Sequence, residues 1–341
     1  MNVDFSVVAV DKEVWTKDMD SFGYGLFHNP FWVEAMSTEA SPAIYLNIIG
    51  DGGRVEAKFS GLIINEGIVK GKTLYGFSGL LFRSSDKAEM SGCMEVLRRY
   101  AIHIGLSRIM LYCYDHIISE PFMFKGFYAE SKDEYYIDFK SGEPVKISSN
   151  LKRNAKKAQK AGVVVKESSS PEILRRLFVL LEETRKERFG KYGKDYDPMY
   201  IYNMNETSLR TLLDKGYAKM FYSELDGEIN TVLYALEDSR RIYFLLMGSD
   251  DRAYNTGIPA MIALHISEYA VSKGLDYYNL GIVPKAELGG AGVSLFKEQQ
   301  GAVRQPGYCY YSWFLRFPYS LLNPMLSRKL RRNPAFVTDS C

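Results

Sequence analysis

The sequence predicts an α/β (α+β) fold built as two tandem units, each a mixed, mostly antiparallel sheet flanked by helices. Three observations predict it. At 341 residues the chain is long for one domain and comfortable for two. Its hydrophobic share of 46%, with 14% aromatic residues, can fill two cores. The halves also match: Tyr100-Ala101-Ile102 and Gly105-Leu106 recur as Tyr269-Ala270-Val271 and Gly274-Leu275, at a constant offset of 169 residues. A Phe-Lys pair follows each, Phe124-Lys125 and Phe296-Lys297. Shared helix stops alone would be common, because glycine usually ends helices. The Phe-Lys match makes duplication the better explanation.

The elements follow in order. Phe5–Val10 reads as a strand, and Pro30–Met36 as a short helix opened by proline after Asn29. Ala43–Ile49, Val55–Ile64 and Lys72–Phe77 read as strands, separated by Asp51-Gly52-Gly53 and by Gly67 with Gly71. Asp86–Ile104 has helical spacing, stops at Gly105 and leads into a strand, Arg108–Tyr114; Tyr135–Phe139 closes the first half. In the second half, helices are expected at Pro171–Arg188 and Pro198–Lys215. Strands Tyr217–Leu225 and Glu228–Leu236 are joined by an Asp226-Gly227 hairpin signal, and Arg241–Met247 follows. A helix from about Ile258 to Ser272, a strand Asp276–Leu280, a helix Gly292–Gln299 and a strand Val303–Trp313 complete the unit. The expected boundaries are 1–145, 146–315, and a basic tail over 316–341.

Several function classes are disfavoured. Charged residues at 25% and a net charge of +2 do not fit a disordered or supercharged chain, so polyanion binding must come from local patches. The acidic N-terminal stretch does not read as a signal peptide, and no run of 18 apolar residues reads as a membrane span. Cys93, Cys113, Cys309 and Cys341 show no C-x-x-C spacing, which points to reduced thiols and a cytoplasmic location. Cys309, in an apolar strand, reads as core rather than nucleophile. His28, His103, His116 and His265 form no ligand cluster, so no metal is expected, and nothing points to DNA.

Three segments carry a family likeness: Phe27-His28-Asn29-Pro30-Phe31-Trp32; Asn150-Leu151-Lys152-Arg153-Asn154-Ala155-Lys156-Lys157-Ala158; and the run from Gly257 through Gly274-Leu275-Asp276-Tyr277-Tyr278-Asn279-Leu280-Gly281 to Phe296-Lys297 and Gly301. With strands in meander order before helix, strand, helix and strand, the chain resembles the FemAB/FemX aminoacyltransferases, which are tandem GNAT-fold acyltransferases that build peptidoglycan cross-bridges. The family's aspartate on the Gly274–Gly281 strand is Asn279 here. The resemblance implies an acyl-transfer site in the second unit. It places Phe296 and Lys297 there, with Phe296 inward and Lys297 at the rim of a crevice, where its cation faces an oxyanion or a donor phosphate. Lys125 is its expected structural echo.

The residues themselves allow this chemistry. Lys152, Arg153, Lys156, Lys157 and Lys160 fall within one helical arc of about 140°. No acid lies between Pro144 and Lys166. That face is either a phosphate-binding surface for a nucleotide, a tRNA or an anionic glycan carrier, or a solvated helix face. In a GNAT unit the acyl donor lies where two strands part, here Arg241–Gly248 and Asp276–Gly281. Met247-Gly248 would present amides to its carbonyl, and Asn279 would lie alongside. A phosphate cradle at the following helix would use Arg252 and Gly257, although Pro259 removes one amide. That weakens acyl-CoA as donor and leaves aminoacyl-tRNA as the other; no tightly bound cofactor is expected. Tyr243, Tyr254, Tyr277 and Tyr278 stand near the crevice as proton-handling candidates, Tyr243 and Tyr254 foremost. The expected acceptor is a small molecule or a nucleotide-linked sugar. Phe317–Arg332 mixes leucines with Arg328, Lys329, Arg331 and Arg332. It reads either as a helix packed on its own domain or as one lying on an anionic membrane surface, which would put the protein at the membrane's inner face.

Overall fold

The computed structural model describes residues 4–116, 122–195, 197–284, 289–333 and 335–338. Cys341 lies outside them. The chain divides into two compact units: one formed by 1–133 with 306–341, the other by 134–305. These bounds differ from the sequence-based ones at both ends of the second unit, and the difference comes from strand partnership.

The first unit contains β1 (Ser6–Val10), α1 (Lys12–Trp15), α2 (Pro30–Met36), β2 (Ala43–Ile49), β3 (Val55–Asn65), β4 (Lys72–Gly76) and β5 (Leu81–Phe82). It continues with α3 (Lys87–His103), β6 (Arg108–Leu111) and β7 (Phe127–Ser131). The second unit holds β8 (Glu134–Asp138), α4 (Ser149–Lys160), β9 (Val164–Ser168), α5 (Pro171–Tyr192) and α6 (Glu206–Asp214). After these come β10 (Ala218–Leu225), β11 (Glu228–Glu237), β12 (Arg241–Ser249), α7 (Asp251–Thr256), α8 (Ile258–Ser272), β13 (Tyr277–Ile282), α9 (Gly290–Gln299) and β14 (Val303–Gln305). The chain then returns to the first unit with β15 (Tyr308–Ser312), α10 (Asn323–Leu330) and β16 (Phe336–Thr338).

The first sheet runs β1-β2-β3-β4-β6-β15-β7-β16, with β5 against β3. The second runs β14-β8-β13-β12-β11-β10-β9. Among the described residues each sheet has one parallel pair, β4 with β6 and β12 with β13, and each pair is linked by the long helix of its repeat. Both linking helices stop where the matched glycines, Gly105 and Gly274, take positive φ of 82° and 67°.

Sequence reading misplaced two strands. Tyr135–Phe139, expected to close the first sheet, is β8, which lies between β13 and β14 in the second. Val303–Trp313 is two strands, because Pro306 lacks the N–H a ladder needs; β14 stays in the second sheet while β15 enters the first between β6 and β7. The helix expected from Pro198 begins only at Glu206. Asn203 takes a φ of 59°, and Asn205 caps the real start by accepting from the Ser208 amide at 3.0 Å.

In the second unit, one face of the sheet buries Ile258, Ile262, Ile266 and Tyr269 of α8 with Ala158 of α4. Gly248 of β12 faces α5, where a Cβ would stand 2.6 Å from the Leu180 Cβ.

Candidate active site

The site is built on the parting of β12 and β13. Their parallel register is Arg241↔Tyr277, Ile242↔Tyr278 and Tyr243↔Asn279, and there it ends. β12 continues to Ser249 along β11 and β13 to Ile282 along β8, without further pairing to each other. Two irregularities flank the parting. The β11–β12 register slips between Tyr234 and Ala235, leaving Leu245 as the extra residue. The β13–β8 register slips between Asn279 and Ile282. Bulges bend strands and increase twist, which drives the two strands apart.

Gly281 makes the second bulge possible with a φ of +71°, which an L side chain resists. Asn279 secures it: its Oδ1 accepts from the Gly281 amide at 2.8 Å, while its Nδ2 donates to Glu134 Oε2 at 2.9 Å. Tyr136 donates its hydroxyl to Glu134 Oε2 and Tyr243 donates to Glu134 Oε1, each at 2.8 Å. Glu134, Asn279 and Tyr243 are all buried. A carboxylate surrounded by donors of this kind is tolerated in a core because its lone pairs are occupied.

Lys297 completes the cluster. From α9 its Nζ donates to the carbonyl of Gly281 at 2.9 Å and of Ile282 at 2.6 Å, and it sits 5.7 Å from the Tyr135 ring centroid. Burial pushes its ammonium down to about 7, against the opposing pull of the Glu134 charge. The expectation of an inward Phe296 and a rim lysine is therefore corrected. Lys297 is only 5% exposed, and Phe296, partly buried, instead packs α9 against Leu151, Ala155 and Ala260. Adjacent helical residues point about 100° apart, so fixing Phe296 against α4 and α8 turns Lys297 into the sheet. In the first unit, Phe124 is buried and Lys125 exposed, so the echo there has the reverse arrangement.

The other expected residues are dispersed. Met247 packs on the core shared with α8, and Gly248 on α5. Tyr254, on α7, is 52% exposed. Arg252 pairs with Asp226 and, at 3.9 Å, with Glu228, which binds it to the β10–β11 hairpin. Gly257 joins α7 to α8 at a φ of +87°, and a Cβ there would lie 2.5 Å from the Asn154 carbonyl oxygen. Hence α4 lies directly against the α8 N-terminus, where Ile258, Pro259 and Ala260 are buried.

All five expected cations of α4 are exposed. Lys157 donates to the Asn255 carbonyl at 2.6 Å and Arg153 to Asn150 Oδ1 at 2.8 Å. Among the described residues, no carboxylate forms a salt bridge with any of the five. Glu134 and Tyr136 escaped sequence reading. The available signal was an acid opening a short strand whose next three residues, Tyr135, Tyr136 and Ile137, are aromatic or apolar.

Residues 146–293 match the family described as "Acetyltransferase (GNAT) domain". No curated protein sequence matches the chain. Among solved structures, FemX superposes with a TM-score of 0.68 at 13% identity, over 95% of this chain and 99% of that one. The structure of L-PGS from Bacillus licheniformis gives 0.55 at 14% identity, over 93% and 96%. A tandem GNAT protein from the clavulanic acid biosynthesis pathway gives 0.51 at 10% identity, over 92% and 99%. The chain has the fold of FemX and of a tandem GNAT protein, and residues 146–293 of its second unit match the GNAT acetyltransferase domain family.

Proposed function

We propose that the chain is an N-acyltransferase that moves an acyl or aminoacyl group onto an amine of a cell-envelope or nucleotide-linked sugar precursor. The observation that carries this reading is the parting of β12 from β13 after Tyr243 and Asn279. In an antiparallel ladder, alternate residues direct their N–H away from the partner strand. β12 residues beyond Tyr243 that point away from β11 therefore aim amides at the gap. A donor carbonyl placed there gains a hydrogen bond that strengthens as attack of the amine puts charge on its oxygen, an effect worth about 3 kcal/mol. Lys297, Asn279 and Glu134 act behind the gap as positioning residues: they fix the bulged β13 backbone that keeps it open.

Two features favour an aminoacyl-tRNA donor over acyl-CoA. The α8 N-terminus, where bare amides would have to cradle a pyrophosphate, is covered by α4 and carries Pro259. The exposed cations of α4, unneutralised by acids, suit a polyanion. The competing reading is a CoA-dependent N-acetyltransferase on a sugar or small amine, and a third is a non-catalytic module that binds RNA or anionic glycan. Thermal unfolding with charged tRNA, UDP-sugars and acetyl-CoA tests them, since a ligand of the native state raises its midpoint. Charged tRNA and a UDP-sugar should raise it, with single-turnover transfer of the aminoacyl group. Stabilisation by acetyl-CoA alone would establish the second reading. Binding of tRNA with no transfer to any amine would establish the third.

A further inference from the structure

Large apolar side chains on a protein surface usually stand singly. In the first unit, five of them converge. Ile68 and Val69 occupy the tip of the β3–β4 turn, closed by hydrogen bonds between Glu66, Gly67 and Gly71. Phe317, Leu321 and Met325 come from the C-terminal segment: Phe317 before the short turn Tyr319–Leu322, Leu321 within it and Met325 in α10. All five are between 67% and 96% exposed.

The two segments lie together because both are anchored at Ser107. Its hydroxyl donates to the Lys72 carbonyl at 2.8 Å, and its own carbonyl accepts from the Leu315 amide at 2.8 Å. Gly71 lies against the Tyr319 ring, close enough that a Cβ would meet it at 2.7 Å. The apolar tip and the C-terminal segment are therefore neighbours on the first unit.

Charge identifies what covers them. Arg316, Arg328, Lys329, Arg331 and Arg332 are exposed on the C-terminal segment and Lys72 beside the turn, while Lys70 pairs with Glu66 at 3.3 Å. The sequence holds no acid from Gln299 through Thr338. Arg316 donates to the Gly105 carbonyl at 2.9 Å, which satisfies it without neutralising it. An RNA would suit the cations and could stack a base on Phe317, but would gain nothing from Ile68, Val69, Leu321 and Met325. A protein partner would have to supply acid and grease in the same pattern. A bilayer with anionic headgroups offers both by construction: acyl chains for the apolar tip, and phosphates for the cations. Among the described residues no helix is long and apolar enough to cross a membrane, so the contact would be peripheral.

We propose that this face docks the protein onto an anionic lipid bilayer, with Ile68, Val69, Phe317, Leu321 and Met325 entering the headgroup region. Co-sedimentation of the full chain with vesicles of phosphatidylcholine mixed with phosphatidylglycerol tests it, against phosphatidylcholine alone. Binding should require the anionic lipid, weaken as salt is added, and fall about tenfold or more in Ile68→Glu/Leu321→Glu. The thermal midpoint of that variant should stay at the wild-type value, because neither side chain is buried. Phe317→Ser/Met325→Ser gives an independent reading of the same surface. The proposal is overturned if the wild type stays in the supernatant, if both variants sediment as it does, or if an RNA oligonucleotide binds where vesicles do not.

Discussion

Glu134 accepts hydrogen bonds from Tyr136, Tyr243 and Asn279, and a carboxamide cannot do so, since half of its polar end is a donor. Glu134→Gln should therefore destabilise the protein by about 2 kcal/mol in urea unfolding, with Tyr243→Phe costing about 1 kcal/mol. A neutral outcome for Glu134→Gln would mean that the cluster is not held by that carboxylate. Lys297 gives a pH signature. Its folded value of about 7 lies below the ordinary lysine value of 10.5, so between these limits the unfolded chain binds the extra proton. Stability must then rise with pH across that window, by no more than about 1.4 kcal/mol per pH unit, and the penalty for the buried ammonium is fully present below pH 7. Urea midpoints at pH 6, 8 and 10 should show the wild type gaining on Lys297→Met as pH rises; parallel profiles would contradict the burial seen here. Lys297, Tyr243 and Asn279 were legible as candidates because they stand in a recognisable motif or on the strands that part, and the structure brings them together around Glu134 and Gly281. Glu134 was not, because a sequence displays an acid without displaying which donors will surround it.

Elements were legible where a local signal fixed them and illegible where a partner did. The glycine stops of α3 and α8 depend on backbone geometry alone, and both were placed within a residue or two. Val164–Ser168 was missed as β9 because its existence depends on pairing with β10, some fifty residues away. The contact between α4 and the α8 N-terminus is another partner-dependent feature, and Gly257 is its weak point. Gly257→Ala adds a methyl 2.5 Å from the Asn154 carbonyl at a φ of +87°, so it should cost about 1–3 kcal/mol and loosen α4. Urea unfolding measures the first effect, and hydrogen exchange in α4 the second. Reversing charge on the same helix should act differently. Lys152→Glu/Lys156→Glu leaves the core unchanged, so the fold should persist, while affinity for charged tRNA drops and its dependence on salt becomes shallower. Unchanged salt dependence would return α4 to the role of a solvated face.

The tandem architecture was visible in one constant offset, but the unit boundary was not, because nothing in a strand's own residues says which sheet it will join. That choice has a mechanical consequence. β15 lies between β6 and β7 in the first sheet, with Tyr310↔Leu111 on one side and Tyr310↔Ala129 on the other. The first unit therefore cannot complete its sheet until the chain has passed through the whole of the second. Contacts closed over such a separation form late and carry a large loop entropy, whereas the second unit is continuous from 134 to 305. A chain ending at residue 305 should accordingly keep the second unit intact and lose the first: β6 and β7 would each lack a partner and the side chains packed on β15 would be uncovered. Hydrogen exchange followed by mass spectrometry should show Arg108–Leu111 and Phe127–Ser131 exchanging freely in the truncated chain, with β10, β11 and β12 protected as in the full chain. Equal protection of β6 and β7 in both would show that the first unit closes without β15, and the dependence of one unit on the chain's last segment would fall with it.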